Sequence, residues 1–544
     1  MSMRERVDVI VIGGGPAGAT AAARCARDGL RTCLLEATRH PRTHVGESLL
    51  PGIIPILADI DALDAVSQAG FGRKTGSTLW HWGRTPRWDL WFADSDAYDA
   101  AWLVERARFD AILFDAARRA GAELRTDARV RAVLREGTRV VGVQWQRAGD
   151  ETPHELEAPL VIDASGQSSL LARELGTRER IAGLEHQAMW AHFEHAGRLP
   201  PPRSQQALFV AQSQQWWWMF PLSSTLTSVG VVQLDAHAEG APMRTAPRPD
   251  FDAELAGCDE LVAALGPRAR RVTKVHHERD WSYRMRETSG PGWIAVGDAA
   301  GFIDPVLSTG VMLAMHSGWH AARTAAAIHR GDDETTSLAA YSRHHRGMFD
   351  DLLRMVRFYY QQNLDRDDYF WESKRILLQE TTALRPQKAF VVLTSGLVQN
   401  LALADRKDEA VRRVERDDAP PLETPASLGF VCLHLRAREA DEIVEGPDPF
   451  DAVYVLVEPA DAAAPTLFRS RNFHVNAIAP RHGNDPIAEP RFAAPLRAIG
   501  AWVAELDDVD GESLADFWRR RRAALLARLR SLPGALALAR VFGE

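Results

Sequence analysis

The segment Gly13-Gly14-Gly15-Pro16-Ala17-Gly18 constrains this chain more than any other. It follows Val7–Ile12, a β-branched run with no charge after Asp8, and it opens Ala19–Leu30, an alanine-rich stretch with Asp28-Gly29 near its end. Thr32–Leu35 is again short and apolar. Such runs read as buried parallel strands, so a strand–helix–strand unit is predicted, with a G-x-G-x-x-G turn at its first junction. Gly13 permits the tight turn, Gly15 lets backbone approach a pyrophosphate, and Gly18 lets helix and strand pack closely. Pro16 and Ala17 begin a helix whose unpaired N–H groups and positive dipole end face the phosphates. Glu36 closes the second strand, where a carboxylate accepts from ribose hydroxyls and repels a 2′-phosphate. The unit predicts a Rossmann-type dinucleotide site.

The rest of the chain reads as an α/β protein. Glu105–Ala120 is an amphipathic helix, and Glu123–Arg125, Val130–Leu134, Arg139–Gln146, Leu160–Asp163 and Trp293–Val296 read as strands. Ala207–Gln212, Trp216–Pro221 and Leu226–Leu234 read as antiparallel strands of a sheet laid over the cofactor, and Val311–Arg330 and Thr336–Arg357 as long helices. The expected organisation is a core over 1–390 and a C-terminal region over 391–544. The core has a discontinuous dinucleotide-binding part, about 6–180 and 285–335, and a substrate-side antiparallel sheet, about 181–284. The C-terminal region is mixed and mainly helical, with helices near Leu496–Glu505 and Leu514–Leu532 and strands at Val453–Val457 and Phe473–Ala477. Asp417–Pro425 is acidic, proline-rich and linker-like.

A net charge of -8 with 25% charged residues provides no basic field for nucleic acid. The 4 cysteines lack metal-ligand spacing and are too few for a disulfide framework, which suits a reducing compartment. Met1–Arg6 is a short polar lead, and Leu532–Phe542 is too short to span a bilayer. A cytoplasmic protein without a transmembrane segment is expected.

Further segments carry a family resemblance. Arg106 with Phe109-Asp110, Val130, Asp163-Ala164-Ser165-Gly166 and Gly297-Asp298 occur in the order of the FAD-contacting motifs of the aromatic hydroxylase-like superfamily. The resemblance implies FAD, with Arg106 near its phosphates, Val130 giving a backbone contact to adenine, and Asp298 bonding the ribityl chain. Within that superfamily the chain resembles the flavin-dependent halogenases, in particular the phenol and pyrrole branch. Trp216-Trp217-Trp218-Met219-Phe220-Pro221 resembles their W-x-W-x-I-P segment, with Phe220 in place of Ile. Trp216, Trp218, Phe220 and Pro221 are thereby implied as a partition between flavin and substrate. Bulky indoles deny an aromatic ring access to the flavin while a small oxidant passes. Lys74, in Phe71-Gly72-Arg73-Lys74-Thr75-Gly76 downstream of Val45-Gly46-Glu47-Ser48, resembles the lysine that reaches the substrate chamber. A desolvated lysine suits either polarisation of hypohalous acid or haloamine formation. Asp304-Pro305-Val306-Leu307-Ser308-Thr309-Gly310-Val311 resembles the loop whose backbone N–H groups bind halide; this implies Thr309 and Gly310 as halide ligands. Glu47, Ser48, Pro305 and Val311 are implied as flavin contacts. Leu307 departs from the tryptophan halogenases, which carry Glu there, and so puts free tryptophan in doubt. Arg357-Phe358-Tyr359-Tyr360 through Glu372 also resembles the phenol and pyrrole branch. The resemblance spans roughly 6–390.

What it implies is halogenation of an electron-rich aromatic ring with FADH2, O2 and chloride or bromide. The hypohalous acid formed crosses to Lys74. The substrate is an aromatic small molecule or an aromatic group tethered to a carrier protein. One dinucleotide fingerprint is present, so FADH2 comes in trans from a separate NAD(P)H flavin reductase. The alternatives are an FAD-dependent aromatic hydroxylase on the same fold and a non-catalytic flavin-binding subunit of a biosynthetic complex. No metal is expected.

Overall fold

The computed structural model describes residues 5–397 except 43, 96, 176, 214, 235–249, 362–365, 378–385 and 396, and beyond these only four strands. The chain divides into two compact units, residues 1–94 with 99–396, and residues 95–98 with 397–544.

The first unit is built on a 6-stranded sheet in the order Ser289–Gly290, Trp293–Ala295, Leu160–Asp163, Val9–Ile12, Thr32–Leu35, Glu123–Arg125. All pairs are parallel but the first. The predicted strand–helix–strand unit is present, with the helix at Pro16–Arg27. Val9–Ile12 and Thr32–Leu35 are buried along their whole length, which is why they read as unbroken apolar runs. The core beneath includes Ile10, Ile12, Leu35, Val161, Trp145 and Trp293. Among the described residues no helix is long and apolar enough to cross a membrane.

The second layer is a larger sheet in the order Gly301–Phe302, His276–Met285, Arg178–Glu194, Leu226–Leu234, Gln215–Pro221, Gln206–Ala211, Gly76–Trp80, Arg87–Trp91. It is antiparallel apart from the Gln206–Ala211 and Gly76–Trp80 pair, which is parallel. Gly76–Trp80 and Arg87–Trp91 come from within the stretch expected to be dinucleotide-binding, so that stretch serves both sheets. Just before them, Gly72–Lys74 pairs with Ala101–Leu103. The Gly72 N–H donates to Leu222 O at 2.6 Å, and a Cβ on Gly72 would stand 2.0 Å from Pro221 O. Only glycine lets the Lys74 strand lie against the end of the tryptophan strand.

Beyond residue 397, in the second unit, the described residues are four antiparallel strands, in the order Thr466–Ser470, Ala452–Glu458, Gly429–Ala437, Leu536–Val541. Their sequences are rich in β-branched and aliphatic residues, as strands are. The expected linker at Asp417–Pro425, the helices near 496–505 and 514–532 and the strand at 473–477 lie outside the described residues.

Candidate active site

Gly13 has φ +99°, and a Cβ there would stand 2.4 Å from Ala164 O. Gly18 packs on the same turn, where an added Cβ would be 1.9 Å from Gly13 O. At Gly15 the space is open except for the end of Arg42, whose Nη2 lies 3.1 Å from the Cβ position. The helix Pro16–Arg27 has no side-chain cap and no acidic residue in its first turn, so its N–H groups face that opening unneutralised. Glu36 is buried; one oxygen accepts from Gly14 N–H at 2.6 Å and the other from Thr38 N–H and Oγ1. Burial raises its pKa, but Arg42 at 3.8 Å and these hydrogen bonds outweigh that and hold the carboxyl below its ordinary value. Open glycine, free helix amides and an ionised carboxylate fit a dinucleotide pyrophosphate and ribose. Val130 sits on the strand Ala128–Glu136, half-buried against the core.

Arg106 opens the helix Arg106–Arg119, is buried, and makes a two-pronged pair with Asp110 at 2.8 and 3.0 Å. Its Nη1 donates to Val45 O at 2.6 Å. The guanidinium thus fastens the Val45–Ser48 loop to that helix. Asp298 lies in the turn Gly297–Ala299, and burial pushes its pKa up to about 6 against the opposing charge of Arg106. Glu47 is buried, with one oxygen 2.7 Å from His192 Nε2 and the other, Oε2, without a partner among the described residues.

Along Gln215–Pro221 the side chains alternate as strand geometry requires. Trp216, Trp218 and Phe220 share one face: the ring centroids of Trp216 and Trp218 are 5.9 Å apart and those of Trp218 and Phe220 6.0 Å. Phe209 of the neighbouring strand closes the patch, at 5.9 Å from Trp216 and 5.5 Å from Phe220. Trp217 faces the opposite core with Phe251.

Lys74 is 1% exposed. Its Nζ donates to Ser48 Oγ at 2.7 Å and Leu49 O at 3.3 Å and lies 5.1 Å from the centre of the Phe92 ring. Among the described residues no carboxylate pairs with it, and burial lowers its pKa to about 7. It lines a cavity of about 40 Å³ together with Phe92, Phe209, Val306, Leu307, Ser308, Tyr359 and Phe390. That space suits a molecule the size of water and is too small for an aromatic ring.

The cavity meets the Asp304–Val311 loop. Pro305–Leu307 forms one helical turn capped by Asp304, whose Oδ1 accepts from Val306 N–H. Ser308 is left-handed at φ +59°, and Thr309 then caps Gly310–His329. The N–H groups of Gly310 and Val311 open that helix and have no intrahelical partner. The Thr309 hydroxyl is buried without a partner among the described residues. Among the described residues no cluster of His, Cys, Asp and Glu is arranged to hold a metal.

One network had no signature in the sequence. Trp216 Nε1 donates to Tyr360 OH at 3.0 Å, Tyr360 OH donates to Asp304 Oδ1 at 2.7 Å, and Asp304 Oδ2 pairs with His186 Nδ1 at 2.5 Å. It ties the tryptophan wall to the base of the loop from four distant parts of the chain. Tyr360→Phe is expected to take the acceptor from the Trp216 indole N–H and to leave Asp304 Oδ1 with the Val306 N–H alone, and to cost about 1–3 kcal/mol; urea unfolding followed by tryptophan fluorescence measures it.

Comparison with known proteins gives a consistent picture. The family model described as tryptophan halogenase matches residues 8–95 and 91–391. The chain is 31% identical over 441 residues to a tryptophan 2-halogenase of Chondromyces crocatus, covering 79% of this chain and 84% of that protein. It is 28% identical over 388 residues to a 1H-pyrrole-2-carbonyl-peptidyl-carrier-protein chlorinase of Pseudomonas fluorescens, covering 66% and 84%. Among solved structures it resembles the myxobacterial chondrochloren halogenase CndH, an FAD-dependent halogenase, with TM-score 0.60 and 32% identity over 73% of this chain and 97% of that one.

Proposed function

Because this chain belongs to the tryptophan halogenase family, we propose that Lys74 is the residue through which its oxidant reaches a phenolic or pyrrolic ring. The protein is a flavin-dependent halogenase, an oxidoreductase that uses FAD, O2 and chloride or bromide to halogenate an electron-rich aromatic ring. A plain aromatic hydroxylase and a non-catalytic flavin subunit are not favoured.

Bound in reduced form, FAD supplies with O2 the oxidation that converts halide to hypohalous acid. In our reading Gly13, Gly15, Pro16, Ala17, Gly18 and Glu36 hold its pyrophosphate and ribose, while Val130, Asp298, Pro305 and Val311 contact the rest. Arg106 orders Glu47 and Ser48 beside it. The N–H groups at Thr309 and Gly310 bind halide, where a helix start favours an anion without a cationic side chain. Trp216, Trp218, Phe220 and Pro221 hold the aromatic substrate away from the flavin. Lys74 receives hypohalous acid. With a pKa near 7 it presents both ammonium, which polarises the O–X bond, and free amine, which takes the halogen. The observation that supports this most is a buried lysine, free of any carboxylate partner among the described residues, lining one small cavity with the halide loop.

Leu307 stands beside that cavity where a carboxylate would otherwise assist. The substrate must then supply its own electron density, as phenols and pyrroles do, whether free or held on a carrier protein. A separate NAD(P)H flavin reductase provides FADH2. The setting is the cytoplasm, in keeping with the unpaired buried thiols Cys25, Cys33 and Cys258.

With photoreduced FAD, air and chloride or bromide, the protein is expected to generate an oxidant that a thiol probe traps. Mass spectrometry of phenols, pyrroles and carrier-bound pyrrole acyl groups is expected to show halogen in place of hydrogen. Oxygenated product formed without halide would overturn the reading in favour of a hydroxylase.

A further inference from the structure

The reaction proposed above balances as reduced FAD + O2 + X⁻ + H⁺ + Ar–H giving FAD + Ar–X + 2 H2O. A C–H bond is exchanged for C–X, and the oxygen leaves as water with electrons from the flavin and from the halide–aryl pair. One proton is consumed per turnover, in a site walled by buried indoles. Some group must bring it from solvent.

Glu47 and His192 are placed to do so. Glu47 is 3% exposed, and its side chain lies close enough to Arg106 to raise that guanidinium's pKa alongside Asp110 and Asp298. Arg106 in turn fixes the Glu47 loop through Val45 O and Gly46 O. This sets the carboxylate at the candidate flavin floor, with Oε2 buried and, among the described residues, unpartnered. Its Oε1 is 2.7 Å from His192 Nε2, and the His192 side chain is 16% exposed. Glu105 also faces the imidazole; His276, from the adjacent strand, lies near it and near Lys274 and His277. We propose, resting on the halogenase reading above, that Glu47 and His192 form the proton path from solvent to the flavin side of the site. Burial lowers the imidazole pKa, but the Glu47 bond and charge outweigh it and leave it above its ordinary value. The bonded pair offers a relay in which the imidazole takes a proton from the solvent side and the Glu47 carboxylate passes it inward through its second oxygen, Oε2.

His192→Gln keeps an N–H donor for Glu47 but carries no proton. Its rate of hypohalous acid formation, read with a thiol probe and photoreduced FAD, is expected to fall about 10²-fold and to rise again in proportion to added imidazole. FAD affinity is expected to stay within about twofold, since the hydrogen bond is kept. Wild type should be indifferent to imidazole. A wild-type rate in the variant, or a slow rate that imidazole and acidic pH leave unchanged, overturns the path. In FAD-free protein, NMR of the ring resonance lost in His192→Gln should titrate above the ordinary histidine value, and Glu47→Gln should lower it; an unmoved titration also overturns the pairing. If wild type itself makes no hypohalous acid, the halogenase reading fails, while the NMR titration still decides whether the two groups are coupled.

Discussion

Lys74→Met is expected to lower aryl halogenation about 10³-fold while the thiol-trapped oxidant continues to form, and to make the protein more stable. The first effect removes the only amine on the cavity wall among the described residues. The second follows from burial. The ammonium has a pKa of about 7 in the fold against an ordinary lysine value of 10.5, and each unit is worth about 1.4 kcal/mol. The unfolded chain holds its proton up to pH 10.5, whereas the folded chain gives it up near 7. Between those values the unfolded state binds more protons, so wild-type stability climbs with pH. Below pH 7 the full desolvation penalty is carried. Lys74→Met should therefore gain a few kcal/mol at pH 6 to 7, less the lost bonds to Ser48 and Leu49, and the gain should fade as pH approaches 10.5. Urea melts at pH 6.5 and pH 9.5 measure this. Equal stability of the two proteins at both values would mean that the amine is hydrated, contrary to the cavity described.

The second large effect is expected at the glycine turn. Gly18→Ala would put a methyl 1.9 Å from Gly13 O and 3.1 Å from Ala164 Cβ. The first obstacle is backbone, so the helix must move off the strand that carries the loop. Overpacking of this kind costs about 1–3 kcal/mol and occasionally more, and the displaced N–H groups no longer converge on the pyrophosphate. FAD affinity should drop at least about 10²-fold, equivalent to two lost hydrogen bonds to a charged group. Flavin fluorescence quenching reads it. Gly347→Ala, on the helix Glu334–Tyr359 with open space at its Cβ, is the control and should be neutral to stabilising by about 1 kcal/mol.

These two sites differ in how far they were legible in the sequence. The glycine turn was readable because its chemistry is contiguous: strand, turn and helix follow one another, and each glycine has a local steric reason. The shared face of Trp216 and Trp218 follows from strand alternation alone. Lys74 is different. Its neighbours in sequence, Arg73 and Thr75, say nothing of burial, and only its resemblance to a motif singled it out. His192, His186, Asp304 and Tyr360 meet their partners across long stretches of chain, and no periodicity reveals such a meeting. The strands Arg178–Glu194 and His276–Met285 were hidden for a related reason. Met189, Ala191 and Phe193 face one core, while Trp190 and His192 on the other face are also largely buried. A strand buried on both sides, with histidines among its packed residues, lacks the clean alternation of a half-exposed one.

The cavity around Lys74 has walls of two kinds. The lysine and Phe92, Phe209 and the Asp304–Val311 loop belong to strands and turns knitted together, with Gly72 welded to the end of the tryptophan strand. Tyr359 and Phe390 come from two helices, Glu334–Tyr359 and Pro386–Thr394, which contribute no residue to the assigned oxidant chemistry. Exchange of bulk at Tyr359 or Phe390 is therefore expected to change what fits beside Lys74 while leaving the lysine, its strand and the Asp304–Val311 loop in place.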